Sequence, residues 1–234
     1  MSVSRFGELS LWLGYPAIGR DVVAQIFSAA DPYALQAAVH VLRDGGLVCF
    51  PTDTVYGIGA AAGDDAAVRR LFAVKGRPPD KPLPLLLAEP ADAARVAEVT
   101  SLAKTLGHHF WPGALTIVMR KSPSYRSLAL GGGDTVAVRV PDHELVRRMV
   151  RDLGSPVTGT SANRAGAPAP VSAAEVAFQM GEMVELIIDG GRSRERAEST
   201  VVDITSTPPE LLREGAVSRE EVEEVLKRAV SAGA

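Results

Sequence analysis

The chain has 234 residues, of which 46% are hydrophobic and 23% are charged, and its formal net charge is −3. These proportions are typical of a globular protein and exclude a disordered chain. The single cysteine, Cys49, excludes an intrachain disulfide and a multi-cysteine zinc site. No apolar run reaches the roughly 18 residues that span a bilayer, and no secretion signal is recognisable. We therefore expect a soluble, cytoplasmic protein without a membrane partner.

The chain divides into a short N-terminal segment and one domain. Residues 1–30 hold small apolar patches interrupted by glycine and proline, and they are predicted to form an N-terminal extension. Residues 31–234 are predicted to form a single domain, as their number suggests. Asp31 and Pro32 suit the cap and first turn of a helix, which Asp44 and two glycines end.

The rest of the domain mixes strand and helix patterns. Capping-box spacing predicts helices that begin at Ser172 and Ser218. Because helices do not separate every pair of strands, the fold class is predicted to be α/β with a mixed sheet. Apolar periodicity predicts further helices over about 64–74 and 91–106, and short apolar runs predict strands over 47–50, 83–88, 115–119, 136–140, 186–188 and 201–204.

A first candidate site is a cluster of cations on a proline-rich loop. Lys75, Arg77 and Lys81 lie within seven residues, at the end of a predicted helix. Cations at a helix C-terminus stabilise the helix dipole, which is one explanation for the cluster. The other explanation is anion recognition, because proline restricts the loop and because arginine and lysine donors suit phosphate or carboxylate. The cluster by itself is compatible with both.

A second candidate site is the stretch of small polar residues over 159–163, which follows an apolar strand-like run. Side chains of this kind allow a ligand to approach backbone N–H groups closely, but an ordinary turn has the same composition. The sequence holds no Walker loop and no complete dinucleotide fingerprint. His108 and His109 are adjacent on a predicted helix, so they cannot clamp one metal ion together, and no metal site is predicted. Dispersed basic residues do not indicate strong nucleic-acid binding.

Six short motifs follow one another along the chain. They are PTDTVYG at 51–57, KGR at 75–77, WPGALT at 111–116, VAVRVP at 136–141, TSAN at 160–163 and STVVD at 199–203. This succession resembles that of the YrdC-like family, the L-threonylcarbamoyl-AMP synthases, in its short, single-domain form. The resemblance implies a twisted, mixed α/β sheet with flanking helices and a concave basic cleft.

The resemblance also implies a reaction. L-Threonine, bicarbonate or CO2, and ATP would give threonylcarbamoyl-AMP and pyrophosphate, with Mg2+ carried by the ATP. A tRNA threonylcarbamoyl transferase complex would then receive the product and modify an adenosine beside the anticodon, so tRNA binding by this chain is expected to be weak or indirect. The alternative is a nucleotide- or RNA-binding module of the same fold without synthase activity.

The family's functional residues transfer to this chain motif by motif. The resemblance implies catalytic roles at the phosphates for Lys75, Arg77, Ser161 and Asn163. It implies threonine contacts for Thr54, Arg139 and Ser199. It implies ATP contacts for Arg77, Lys81, Thr135, Thr160, Ser161, Asn163 and Arg213.

Three positions depart from the family pattern. Leu86 stands where many members carry a histidine, Lys81 where asparagine is common, and Ala169 where serine is frequent. The manner of threonine recognition is therefore open, whereas the residues implied at the phosphates are all present. Arginines at 192, 194 and 196 crowd one loop and could close over pyrophosphate or simply face solvent. No side-chain nucleophile is evident, so catalysis by placement and electrostatics is expected.

Overall fold

The structure is a computed structural model that describes residues 23–193 and 197–231. Among these residues, no helix is long and apolar enough to cross a bilayer. Two short 3-10 helices cover Pro90–Arg95 and Leu128–Leu130. The α-helices are α1 (Ala34–Arg43), α2 (Asp65–Lys75), α3 (Ser101–Phe110), α4 (Glu144–Leu153), α5 (Ala173–Met180) and α6 (Arg219–Ser231).

The strands form two mixed sheets. The first sheet has the order β1 (Gln25–Ser28), β9 (Leu186–Asp189), β2 (Val48–Phe50), β3 (Gly57–Gly59), β8 (Thr160–Ser161). The second has the order β11 (Glu210–Arg213), β10 (Thr200–Asp203), β5 (Leu115–Arg120), β6 (Thr135–Arg139), β4 (Leu85–Leu86), β7 (Val157–Thr158). In the first sheet β1 and β2 run parallel to β9, and β3 is antiparallel to β2 and β8. In the second sheet two strand pairs are parallel and three are antiparallel.

The predicted α/β class with mixed strand directions is confirmed, but the strands are divided between two sheets where one was expected. The two sheets meet where Gly159 alone separates β7 of the second sheet from β8 of the first. Crowding favours glycine here, because a Cβ on Gly159 would lie 2.7 Å from Leu86, and one on Gly59 would lie 2.3 Å from the Thr158 carbonyl oxygen. This crossing places Ser161 beside residues of the second sheet.

Two apolar clusters hold the layers together. The larger cluster unites α2, α3, α5 and α6 with both sheets and includes Tyr56, Leu71 and Ile117. The smaller cluster packs α1 and α4 together and includes Leu42 and Met149. These side chains are almost fully buried, and burial of one large aliphatic side chain contributes roughly 1.5–3 kcal/mol.

Two local predictions are wrong. Asp31 does not cap α1; its carboxylate accepts a hydrogen bond from the Tyr33 N–H (2.8 Å) in a turn, and α1 begins at Ala34. The single helix predicted over 91–106 is a 3-10 helix followed by α3. The chain breaks between them because Ala97 forms a bridge with Lys121, which draws this segment toward the end of β5.

Ser172 caps α5 and Ser218 caps α6, as the capping-box spacing predicted. The hydroxyl of Ser218 accepts from the Glu221 N–H, and the Glu221 carboxylate accepts from the Ser218 N–H, so this box is complete. The hydroxyl of Ser172 accepts from the Glu175 N–H, but the Glu175 carboxylate accepts from the Val171 N–H instead of closing the box.

Part of the N-terminal segment belongs to the first sheet. Of residues 1–30, the structure describes 23–30, and Gln25–Ser28 form β1, which pairs in parallel with β9 at the edge of the sheet. The side chain of Ile26 on this strand remains 54% exposed. Residues 1–22 lie outside the described residues.

Candidate active site

A cleft of about 300 Å³ opens where the two sheets meet. Its walls come from the ends of strands in both sheets and from the segments that follow α2 and precede β10. Its charged lining residues are Arg77, Arg139, Glu198 and Arg213. Its hydroxyl-bearing lining residues are Thr52, Thr54, Tyr56, Thr116, Thr160, Ser161 and Ser199.

The two predicted segments converge through Lys75. This lysine is the last residue of α2, and its side chain is only 7% exposed. Its ammonium donates to the carbonyl oxygens of Ser161 (2.6 Å) and Asn163 (2.6 Å) and to Oδ1 of Asn163 (2.7 Å). A lysine ammonium has three donors, so these contacts use all of them. Lys75 therefore supports the 161–163 segment from behind the cleft wall.

Asn163 completes this support. Its Oδ1 accepts from the Ser161 hydroxyl (2.7 Å), and its Nδ2 donates to the Ala167 carbonyl oxygen. The carboxamide thus links the β8 end to the loop that follows. Among the described residues, Ser161 lines the cleft but Lys75 and Asn163 do not.

Arg77 reaches the cleft from the loop after α2. The left-handed residue Gly76 ends the helix, and the Arg77 guanidinium then folds back on its own loop. Its Nε donates to the Lys81 carbonyl oxygen (3.0 Å) and its Nη2 to the Pro82 carbonyl oxygen (2.7 Å). Burial and the nearby Arg213 lower the pKa of Arg77. An anion between the two arginines would relieve that repulsion.

Arg139 forms a deeply buried part of the cleft wall. The residue is only 6% exposed, and its Nη2 forms an ion pair of 2.6 Å with Asp53. The Nε atom donates to the Gly113 carbonyl oxygen (2.9 Å), and Nη1 donates to Oγ1 of Thr54 (3.0 Å). Burial lowers the pKa of Arg139 and the Asp53 carboxylate raises it. These bonds use three of the five guanidinium N–H donors.

A chain of hydroxyl groups fixes how Thr54 is oriented. The Thr52 hydroxyl donates to the Val55 carbonyl oxygen (2.7 Å), so its only hydrogen is used there. The 2.9 Å contact between the two hydroxyl oxygens must therefore have Thr54 as donor and Thr52 as acceptor. Since Thr54 also accepts from Arg139, one acceptor lone pair of Thr54 is left for a ligand.

Arg213 and Ser199 form the third side of the cleft. Arg213 donates to the Ser199 carbonyl oxygen from Nε (3.0 Å) and from Nη2 (2.8 Å), and its Nη1 pairs with Glu198 at 2.6 Å. The Ser199 hydroxyl lies 2.9 Å from the Thr116 hydroxyl. This arrangement brings a residue of β11 to the edge of the cleft and keeps its charge partly balanced.

The structure gathers most of the sequence-predicted site residues. Those that line the cleft are Thr54, Arg77, Arg139, Thr160, Ser161, Ser199 and Arg213. Lys81 is exposed, and its contact with Arg77 is made by its carbonyl group and not by its ammonium. Thr135 lies on the same face of β6 as Arg139, four residues away, but does not line the cleft. Arg192 lies 3.8 Å from Glu175, and residues 194–196 lie outside the described residues.

Four contributors were not singled out in the sequence. Asp53 neutralises Arg139, Glu198 pairs with Arg213, and Thr116 contacts Ser199. Tyr56 donates its hydroxyl to the Gly191 carbonyl oxygen (2.6 Å), and burial raises its pKa. A buried arginine requires a carboxylate, and this requirement was the one signal that could have identified Asp53 inside its motif.

Comparison with known proteins decides the family. A family model described as Sua5_yciO_yrdC, telomere recombination, matches residues 40–215. The chain belongs to this Sua5/YciO/YrdC family. The membership of the YrdC-like family that the six motifs indicate is thereby confirmed.

Two relatives of this family member are named threonylcarbamoyl-AMP synthase. The one from Pyrococcus abyssi is 42% identical over 206 residues, covering 88% of this chain and 61% of the relative. The one from Bacillus subtilis is 39% identical over 211 residues, covering 88% and 60%. A crystal structure of P. abyssi Sua5 complexed with L-threonine matches with a TM-score of 0.83 and 42% identity, covering 86% and 61%. The chain thus spans about three fifths of these relatives' length.

The titration of Lys75 gives this Sua5/YciO/YrdC-family chain a testable pH dependence. Burial lowers the pKa of Lys75 to about 8, although the Glu198 carboxylate raises it. Above that pH the neutral amine has two donors for three acceptors, so we expect any activity of the cleft to fall as pH rises through about 8. The pKa of Lys75 in the folded protein lies below that of an unfolded lysine, about 10.4. The free energy of unfolding therefore rises as pH rises between these two values.

The measurement is a pH profile of activity beside a pH profile of the melting temperature. We expect an alkaline loss of activity that has no matching loss of Tm, whereas the small residual activity of Lys75→Met should not fall over the same pH range. A flat profile through pH 9 would contradict the role given to the Lys75 ammonium.

Proposed function

We propose that this chain synthesises L-threonylcarbamoyl-AMP from L-threonine, bicarbonate or CO2, and ATP, with release of pyrophosphate. The product would serve threonylcarbamoyl-adenosine formation in tRNA. The relatives' names and the L-threonine in the P. abyssi structure support this proposal. The observation that carries it is the single cleft that brings Arg77, Arg139 and Arg213 together with Ser161.

Arg139 is proposed to bind the carboxylate of threonine. Two of its N–H donors remain after the bonds to Gly113, Thr54 and Asp53, and it lines the cleft. Because Asp53 compensates the buried charge in the absence of substrate, the guanidinium is held in place before threonine binds.

Thr54 is proposed to bind the amine or hydroxyl of threonine, and not its carboxylate. Its hydrogen is used on Thr52, so it can offer a ligand only an acceptor lone pair. A carboxylate has no donor to give, whereas an amine and a hydroxyl do. With the carboxylate on Arg139 and the amine or hydroxyl at Thr54, threonine would have a defined orientation.

Arg77, Arg213 and Ser161 are proposed to bind the triphosphate. The amine nitrogen of threonine attacks the carbon of CO2 and releases a proton to solvent, which forms a carbamate. The carbamate oxygen then attacks the α-phosphorus, and the bond to the bridging oxygen of the β-phosphate breaks. Two unit charges 4 Å apart repel by about 4 kcal/mol at an effective dielectric constant of 20. Arginines that neutralise the phosphates offset this repulsion and stabilise the leaving pyrophosphate.

Mg2+ is proposed to arrive with ATP. Among the described residues, no group of three or more histidine, cysteine, aspartate or glutamate side chains could hold a metal ion. Glu198 lies in the cleft, but it is paired with Arg213. The residues of the cleft therefore suit an ion held chiefly by phosphate oxygens, which would neutralise phosphate charge when bound.

The direct test is product formation. The pure protein is incubated with ATP, threonine and 13C-labelled bicarbonate, and the products are analysed by mass spectrometry. We expect an acyl-adenylate that carries the label, and pyrophosphate whose release requires all three substrates. ATP binding without this product would favour a nucleotide-binding module. Filter binding of tRNA is expected to be weak, because the product would pass to a separate transferase complex.

Substitution of Arg139 tests the threonine end. A charge-assisted hydrogen bond contributes about 1.5–3 kcal/mol, so Arg139→Ala is expected to raise the KM for threonine roughly tenfold or more. The KM for ATP should change little. Because Arg139→Ala leaves Asp53 unpaired and could unfold the protein, Thr54→Val is made beside it; this near-isosteric change should also raise the threonine KM. An unchanged threonine KM in a folded variant would remove the assigned role.

A further inference from the structure

We infer that Gly131, which lies outside the cleft, is a positioning residue for Arg77. Only the kinetic test of this inference rests on the proposed function. Arg77 does not belong to a helix or a strand. Its guanidinium is held by the carbonyl oxygens of Lys81 and Pro82, so its position depends on where the backbone of residues 80–82 lies.

That backbone rests on the turn formed by residues 127–131, which contains the second 3-10 helix. The Leu83 N–H donates to the Ala129 carbonyl oxygen at 2.7 Å, which ties the loop to the turn. Gly131 lies directly against the loop: a Cβ placed on it would be 2.7 Å from the Asp80 carbonyl oxygen and 3.3 Å from the Pro82 nitrogen. The contact is between backbones, so no side chain can rotate away to relieve it.

The turn itself is firmly anchored. The Ser127 hydroxyl donates to the Ala62 carbonyl oxygen and accepts from the Ala129 N–H (3.1 Å). Ala129 is fully buried and Leu130 is 5% exposed. A side chain at position 131 would therefore displace the exposed loop of residues 80–82 more readily than it would displace the turn.

Glycine is required at this position for two separable reasons. Its φ of +62° is left-handed, and its backbone lies too close to the loop for a side chain to fit between them. The next residue, Gly132, has a φ of +81° but would carry a Cβ with nothing within 4 Å. Gly132→Ala therefore introduces backbone strain without the clash, and Gly131→Ala introduces both. The comparison of the two variants isolates the effect of the clash.

The test compares the kinetics of both variants at a temperature where both are folded. Misplacement of a binding group by about 1 Å can cost up to a hundredfold, so we expect Gly131→Ala to lower kcat/KM for ATP roughly ten- to a hundredfold. Gly132→Ala should stay within about threefold of the wild type, and the threonine KM should be similar in both variants. Equal kinetics in the two variants would overturn the inference.

A double-mutant cycle distinguishes positioning from general weakening. In an Arg77→Ala background, Gly131→Ala should add almost no further loss, because the group that it displaces is absent. Full additivity of the two losses would show that Gly131 acts elsewhere. The Arg77 Nε–H resonance in NMR gives a readout without substrate: it should shift in Gly131→Ala and not in Gly132→Ala. A chain without synthase activity would still give this result, so failure of the proposed function is distinguishable from failure of this inference.

Discussion

Lys75→Met is expected to abolish most activity and to lower the free energy of unfolding. The buried ammonium donates to three oxygens of residues 161 and 163, and methionine offers them no donor. Oδ1 of Asn163 keeps the Ser161 hydroxyl as a donor, so two carbonyl oxygens lose their lysine donor. An acceptor left unpaired costs about 1–3 kcal/mol, so we expect a loss of about 2–6 kcal/mol in urea unfolding. Displacement of the Ser161 segment should lower the rate of pyrophosphate release at least a hundredfold.

Lys104→Met is the matched control for this substitution, because Lys104 is exposed on α3 and does not line the cleft. It should leave both the rate and the unfolding free energy close to those of the wild type. If Lys75→Met kept wild-type stability and rate, the three contacts of Lys75 would not organise the site.

Arg77→Ala should lower threonine-dependent pyrophosphate release at least tenfold while the fold stays intact. The guanidinium is half-buried and its protein partners are carbonyl groups of its own loop, so its removal leaves no buried charge. A charge-assisted contact to phosphate contributes about 1.5–3 kcal/mol, which corresponds to that factor. The measurement is steady-state kinetics together with the melting temperature.

Arg126→Ala is the matched control for Arg77→Ala. Like Arg77, Arg126 donates to carbonyl groups of its own loop, those of Pro123 and Tyr125, but it does not line the cleft. Its removal should leave the rate unchanged. An equal loss in both variants would mean that loop stability, and not a contact to substrate, explains the effect at Arg77.

Local sequence patterns predicted the helices whose first residues are fixed by side chains within the same segment. The helix predicted over about 64–74 is α2, which Asp64 caps, and Ser218 begins a complete capping box as predicted. The convergence of the 75–77 and 160–163 motifs was also predicted, because the resemblance placed both at one ligand. In the structure Lys75 makes this convergence a direct contact with Asn163.

Long-range backbone contacts were not predictable in the same way. The helix expected over 91–106 is interrupted because Ala97 pairs with Lys121, and the local periodicity does not indicate that bridge. The division into two sheets depends on Gly159, where crowding against Leu86 becomes visible only once the strands are placed. The ion pair between Asp53 and Arg139 joins residues far apart in the sequence and likewise required the fold.

The proposed mechanism depends on the triphosphate lying between Arg77 and Ser161. The most direct measurement is a crystal structure of this chain with threonine and a non-hydrolysable ATP analogue. We expect phosphate oxygens about 3 Å from the Arg77 guanidinium and the Ser161 hydroxyl, and the threonine carboxylate at Arg139. A triphosphate bound elsewhere, for example in the groove between α3 and α6 that Lys104 and Arg228 line, would contradict it.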